Sequence, residues 1–145
     1  MKLLLAIDQS RCSRVAVEAV KAQYKPADCE VLLFHALDLL SPFAGMTALD
    51  PAAIEHLVEG ERRAAEAMLE RAESELRGAG FRTSSRLEEG EARNLILQAA
   101  AEWHADRIVV GSHGRGGLER FMLGSVSLAI ARHAPCSVEI IRASS

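Results

Sequence analysis

Short apolar runs of strand length recur along this chain, separated by segments of helical periodicity, and no other feature narrows the fold so far. Leu3 to Ile7 and Val31 to Leu37 are nearly continuous in apolar residues, and Arg107 to Val110 and Val138 to Ile141 repeat the pattern more briefly. A strand apolar on both faces has to be covered on both faces, which is the condition of a parallel sheet layered between helices. The intervening segments supply those layers. Ser13 to Tyr24 turns helical, with Val15, Ala19 and Val20 on one face. Ala52 to Leu76 carries Ile54, Leu57, Val58, Ala65, Met68, Leu69, Ala72 and Leu76 at a helical period, with Gly78 and Gly80 as its stop. Glu91 to Trp103 is a further helix carried by Leu95, Ile96 and Ala99, and Ser125 to His133 is one more, ended by Pro135. Phe81 to Leu87 is a polar, weaker strand of the kind found at a sheet edge, and Leu39 to Pro51 is a loop with unusually many apolar residues. Strands alternating with helices predict one α/β layered domain over residues 1–145, with no internal boundary or repeat.

Charge and composition exclude several functions. A net charge of −3 gives no basic surface for wrapping nucleic acid or lying on an anionic membrane. Aromatic residues make up only 4%, too few for a platform that stacks single-stranded bases. The opening MKLLLAIDQS begins like a signal peptide, but its apolar run stops at Asp8 and fits a buried strand better. No segment has the length to span a bilayer. Cys12, Cys29 and Cys136 are odd in number and lack metal-ligand spacing, so a reduced, cytoplasmic protein is expected.

The stretch VVGSHGRGGLERFMLGSVS, from Val109 to Ser127, is where chemistry concentrates. A loop at the carboxyl end of a parallel strand lies where open sheets bind ligands. Gly111, Gly114, Gly116 and Gly117 permit unusual backbone conformations and let amides approach an anion. Gly124 and Ser125 open a helix whose free N–H groups favour phosphate, and Arg115 adds a cation. Glycines after strands and a serine before a helix are also ordinary connection chemistry. Spacing alone leaves a phosphate loop and a plain connection both standing. Two standard templates do not apply. A Walker A loop needs a lysine before its serine, and a dinucleotide fingerprint needs glycines where this chain has Asp8-Gln9-Ser10.

The arrangement G-x2-G-x9-G-S at Gly111, Gly114, Gly124 and Ser125 resembles the ATP-binding signature of the universal stress protein family. AIDQS at Ala6 to Ser10 resembles the family's first-strand ending, His35-Ala36 its second, and Ala105 to Ile141 its carboxyl-terminal half almost throughout. Two departures are Ala92, where many members carry proline, and Glu139 inside a final strand that is mostly apolar in the family. The resemblance implies an open five-stranded parallel sheet of order 3-2-1-4-5 with helices on both faces, the adenine nucleotide alpha hydrolase-like fold. It also implies a site. Asp8 sits near the ribose and phosphates, with Ser10 in the same turn, and Ala6 or Ile7 with Ala36 lines the adenine side. The loop from Gly111 through Gly114 and Arg115 to Gly116 cradles the phosphates with Gly124, Ser125, Val126 and Ser127. ATP is the implied ligand, with Mg2+ bridging its phosphates rather than held in a protein cage.

Nothing in the sequence equips a fast ATPase, which needs a group to position water and strong charge compensation. Asp8 is placed to cap the first helix or hold a ribose hydroxyl, and His113 is either solvated or near a phosphate. His35 ends a strand, where packing and cleft lining suit it equally. Cys12 lies in a first helical turn, a position that lowers a thiol pKa, although an ordinary half-buried cysteine fits as well. The resulting expectation is a nucleotide-dependent stress-response or signalling module, with a weak ATPase or nucleotide phosphotransferase as the alternative. The resemblance further implies a homodimer through the last strand, SVEII, where Glu139 is otherwise an outward-facing residue that discourages uncontrolled pairing.

Overall fold

The computed structural model describes residues 1–39, 50–114 and 122–144. Arg115, Gly116, Gly117 and most of the loop from Leu39 to Pro51 therefore lie outside the described residues. In chain order the elements are β1 (Lys2–Ala6), α1 (Arg11–Gln23), β2 (Glu30–Leu37), α2 (Pro51–Gly78), β3 (Arg82–Glu89), α3 (Ala92–Glu102), β4 (Arg107–Gly111), α4 (Ser125–His133) and β5 (Ser137–Ile141). A short 3-10 turn at Pro26–Asp28 precedes β2.

All five strands are parallel, in the order β3-β2-β1-β4-β5. The chain winds outward from β1 to β3, then returns to the other side of β1 for β4 and β5. Crossovers keep one hand, so that reversal puts the later helices on the opposite face. The core divides accordingly. Leu3, Leu5, Val31, Leu33 and Val109 pack against α1 and α2, whereas Leu4, Ala6, Leu32, Phe34, Ile108 and Val110 pack against α3 and α4. The alternation of Leu3, Leu4 and Leu5 between the two cores is the period-two geometry of a strand buried on both sides. The polar strand β3 is one edge, as its composition predicts, and β5 is the other.

Two helices keep part of their predicted faces, Val20 in α1 and Ala65, Met68, Leu69, Ala72 and Leu76 in α2, and depart from the rest. In α1 the buried positions are Ser13, Ala16, Val17 and Val20, with Val15 and Ala19 only half-buried. The small Ser13 and Ala16 face the sheet, and Val15 lies at the margin of the buried face. In α2 burial begins at Ala65, while Leu57 is 44% exposed and Ile54 and Val58 are half-buried. Its 28 residues span about 42 Å, against about 27 Å for an eight-residue strand. The first turns of α2 therefore run past the carboxyl ends of the strands. At the far end Gly80, at φ +95°, takes the left-handed turn that stops the helix, and Phe81 N donates to Leu76 O at 3.0 Å.

Glu139 does not face outward. Its carboxylate accepts from Tyr24 Oη, which in turn accepts from Arg107 Nη1 at 2.7 Å, and Arg107 lies 3.7 Å from Glu139. The acidic residue in the last strand thus ties β5 to the end of α1 and the start of β4. Burial pushes the Tyr24 phenol up, the hydrogen bond to Glu139 adds to that, and Arg107 opposes it.

Candidate functional site

The reversal of strand order falls between β1 and β4, and there the ends of both strands open into one cavity of about 890 Å3. Two turns build its floor. At the end of β1, Ile7 N donates to Phe34 O at 2.9 Å, and His35 Nδ1 lies 2.7 Å from Ile7 O. A carbonyl only accepts, so His35 carries its proton on Nδ1 here.

Asp8 then turns the chain into α1. Its backbone N–H donates to Ser13 Oγ at 2.8 Å, and its Oδ1 accepts from Ser10 N and from Ser13 Oγ, each at 2.8 Å. The N-cap itself is Ser10, whose Oγ accepts from Ser13 N at 3.2 Å. Asp8 supports the helix start without capping it. The sequence reading passed over Ser13, whose hydroxyl locks this turn. The only cue was its spacing of three from Ser10.

At the end of β4 the glycines act by size. Neither Gly111, Gly114 nor Gly124 has a positive φ; Gly80 and Gly90 are the glycines that do among the described residues. This corrects the expectation of unusual backbone conformations at Gly111 and Gly114. A Cβ at Gly111 would lie 2.7 Å from Cys12 Cβ and 3.1 Å from Cys12 C, so α1 rests on bare backbone. A Cβ at Gly114 would lie 2.8 Å from Asp8 Oδ2, and one at Gly124 would lie 3.2 Å from Ser112 O. The spaced glycines bring three chain segments within contact of one another around the cavity.

Ser112, 2% exposed, holds this corner together. Its N–H donates to Ile141 O at 2.8 Å, and its carbonyl accepts from Gly124 N at 2.8 Å and from Ser127 Oγ at 2.9 Å. The Ser127 hydroxyl also lies 3.0 Å from Gly124 O. The Gly124 amide and the Ser127 hydroxyl are thus spent on the loop itself. The donors left facing outward are those of the helix start. The first intrahelical bond runs from Leu128 N to Gly124 O at 2.9 Å, so the N–H groups of Ser125, Val126 and Ser127 have no acceptor in a preceding turn.

His113 follows Ser112. Its Nδ1 is 3.0 Å from Ser112 Oγ, and its Nε2 is buried without a hydrogen-bond partner among the described residues. Cys12 Sγ is 3.7 Å from the same Ser112 Oγ. Burial acts to raise the Cys12 pKa, but hydrogen bonds from Ser112, Ala143 and His113 outweigh it, and the thiol falls below its ordinary value.

Ala6, Ile7, Asp8, Ala36, Gly111, Gly114, Gly124, Ser125, Val126 and Ser127 all line the cavity. Ser10 is not among the lining residues; its hydroxyl lies 3.3 Å from Ser13 Oγ and 3.4 Å from His113 O. Arg115 and Gly116 lie outside the described residues. Asp38, from the end of β2, and Glu61, from the overhanging start of α2, line the cavity and were missed from sequence. Glu61 sits 53 positions from Asp8 on a helix whose overhang no local pattern reveals.

Among the described residues the cavity offers unpaired amides at a helix start beside a close-packed glycine turn, and Asp8, Asp38 and Glu61 are in its lining. Amides of that kind suit an oxyanion, and carboxylate oxygens suit a hard cation brought with it. A doubly wound α/β protein with its cleft at the switch point is the class that fold and cavity define. A sequence model described as the universal stress protein family matches residues 1–142. The chain belongs to that family.

A curated relative, the universal stress protein in the QAH/OAS sulfhydrylase 3' region of Thermus aquaticus, is 32% identical over 140 residues, covering 97% of each chain. Among solved structures, that of the hypothetical protein MJ0577 superposes with a TM-score of 0.87 at 24% identity, covering 99% of this chain and 96% of the other. An Arabidopsis thaliana family member solved with AMP bound has a TM-score of 0.75 at 18% identity, with 100% and 93% covered. A universal stress protein in complex with cAMP has a TM-score of 0.70 at 21% identity, with 99% and 98% covered. Among the described residues no helix is long and apolar enough to cross a membrane.

Proposed function

We propose that this chain is an ATP-binding member of the family and acts as a nucleotide-dependent stress-response or signalling module. The observation that carries the reading is convergence: Asp8, the Gly111–Gly114 turn and the open start of α4 meet on one cavity. In this reading the amides of Ser125 to Ser127 take the phosphates, with Arg115 and Gly116 completing the loop. Ala6, Ile7 and Ala36 face the base, and Asp8 holds the ribose end. Mg2+ would come with the phosphates and offset their charge, rather than sit in a closed protein cage. The AMP and cAMP bound by two structural neighbours support an adenine nucleotide as the ligand class. The protein acts in the cytoplasm, as a homodimer through β5, on a protein partner.

Protein purified without added nucleotide, then denatured, is expected to release ATP detectable by mass spectrometry. Calorimetric titration with ATP and Mg2+ is expected to show saturable binding that a Gly114→Val, Ser125→Ala double variant loses by more than tenfold. Absence of both released nucleotide and binding heat sinks the reading. Retention of intact ATP separates the signalling module from the weak ATPase or phosphotransferase, which would yield product.

A further inference from the structure

α1 and α2 lie side by side on one face of the sheet, and a groove of about 520 Å3 runs between them. That volume lies within the range of small-molecule sites, roughly 300–1,000 Å3. Its floor is apolar and low: Ile7 at the end of β1, Val17 from α1, and Ala67, Met68 and Ala72 from α2. The alanines hold the two helices' side chains apart where bulkier residues would fill the space.

The charges along the walls are unequally matched. Glu18 and Glu75 line the groove, and Lys21 serves both, at 2.9 Å and 3.9 Å. Asp8 lines the mouth, but its Oδ1 is held by Ser10 and Ser13, and its Oδ2 lies on the Gly114 side, toward the other cavity. Arg14 and Arg71 complete the walls, one from each helix. Neither forms an ion pair among the described residues.

We propose that this groove is a second binding site, adjoining the nucleotide cavity and sharing Ile7, Asp8 and Ser13 with its lining, for a small amphipathic carboxylate. The carboxylate head sits between Arg14 and Arg71, where a planar guanidinium pairs well with a planar anion. The acyl chain lies along Ile7, Val17 and Met68. An uncharged apolar molecule would leave two guanidiniums unused, and a cation would meet Glu18 and Glu75 only where Lys21 already serves them. The site does not depend on the nucleotide reading.

The test is calorimetric titration of the whole chain with octanoate and decanoate, with decanol and decylammonium as charge controls. Decanoate is expected to bind at one per chain and more tightly than octanoate, by about fourfold for each methylene buried. Both controls are expected to bind at least tenfold more weakly. An Arg14→Glu, Arg71→Glu double variant, and separately Ala67→Trp, should each lose decanoate binding while keeping their circular dichroism spectrum and their behaviour toward ATP. Decanoate binding that ATP displaces one for one would put the ligand in the other cavity and overturn the proposal. Equal binding of decylammonium, unchanged binding in both variants, or no decanoate binding up to its solubility limit would also overturn it.

Discussion

Replacing Gly111 with alanine isolates the packing role of the glycine turn from any ligand. The added methyl carbon would stand 2.7 Å from Cys12 Cβ and 3.1 Å from the Cys12 carbonyl carbon. Carbon atoms in contact prefer about 3.5–4.0 Å, so α1 and β4 must separate by nearly 1 Å. Neither neighbour is the free end of a flexible side chain. Overpacking of this kind costs about 1–3 kcal/mol. With a urea dependence of roughly 1–3 kcal/mol per molar, the midpoint should fall by about 0.5–2 M at unchanged slope. Gly60→Ala is the matched control. Gly60 lies inside α2 with nothing within 4 Å of an added Cβ, so the same change there removes only glycine's helix penalty. That variant should gain about 0.5–1 kcal/mol. Both are read by urea unfolding followed by circular dichroism at 25 °C. A Gly111→Ala protein as stable as the parent would refute the steric account.

Three further outcomes follow from the same corner of the fold and from the β5 edge. Cys12 should alkylate with a pH midpoint below that of Cys29 and Cys136, whose pKa values burial raises, and Ser112→Ala should move the Cys12 midpoint upward; mass spectrometry of iodoacetamide-treated protein reads all three. Because the folded thiol pKa is lowered, its stabilising contribution is present above the unfolded value of about 8.5 and fades as pH falls through the folded one. Tyr24 is the one tyrosine of the chain, so its ultraviolet titration is direct; the midpoint should lie above about 10 and drop in Glu139→Gln. Its raised folded pKa means that its contribution is complete below about 10 and is lost as pH rises through the folded value. Ser127→Ala should cost about 1–2 kcal/mol in urea unfolding, since Ser112 O keeps the Gly124 amide as a donor after the hydroxyl is gone; no loss at all would mean that the hydroxyl does not hold the loop.

Those effects also mark where sequence reasoning succeeds and where it stops. The strands were legible because burial on both faces leaves no polar position, so LLLA and VLLF carry their environment in their composition. The polar β3 announced an edge for the same reason. The bounds of α4 were legible because Gly124-Ser125 and Pro135 are local punctuation. What failed was information held in pairs of distant residues. Val15 looked like core because it is apolar, yet Ser13 is buried instead, its hydroxyl serving Asp8 five positions earlier. Glu139 looked like an outward edge residue until its partner proved to be Tyr24, 115 positions away. Gly111 looked like a conformational necessity, and only the position of Cys12 shows that it is a spacing one. The same distinction governs the site. A motif such as G-x2-G-x9-G-S is readable because one contiguous loop supplies it, and it tells where a ligand would sit. It does not tell which of its own donors are already used. Ser112 O takes both the Gly124 amide and the Ser127 hydroxyl, so the motif's last glycine shapes the cavity rather than reaching into it. The amides of Ser125, Val126 and Ser127 remain, and those are backbone groups that any residue could supply. The glycines of the motif therefore set the geometry by lacking side chains, and the Ser125 hydroxyl with the amides of the helix start is what is left to bind.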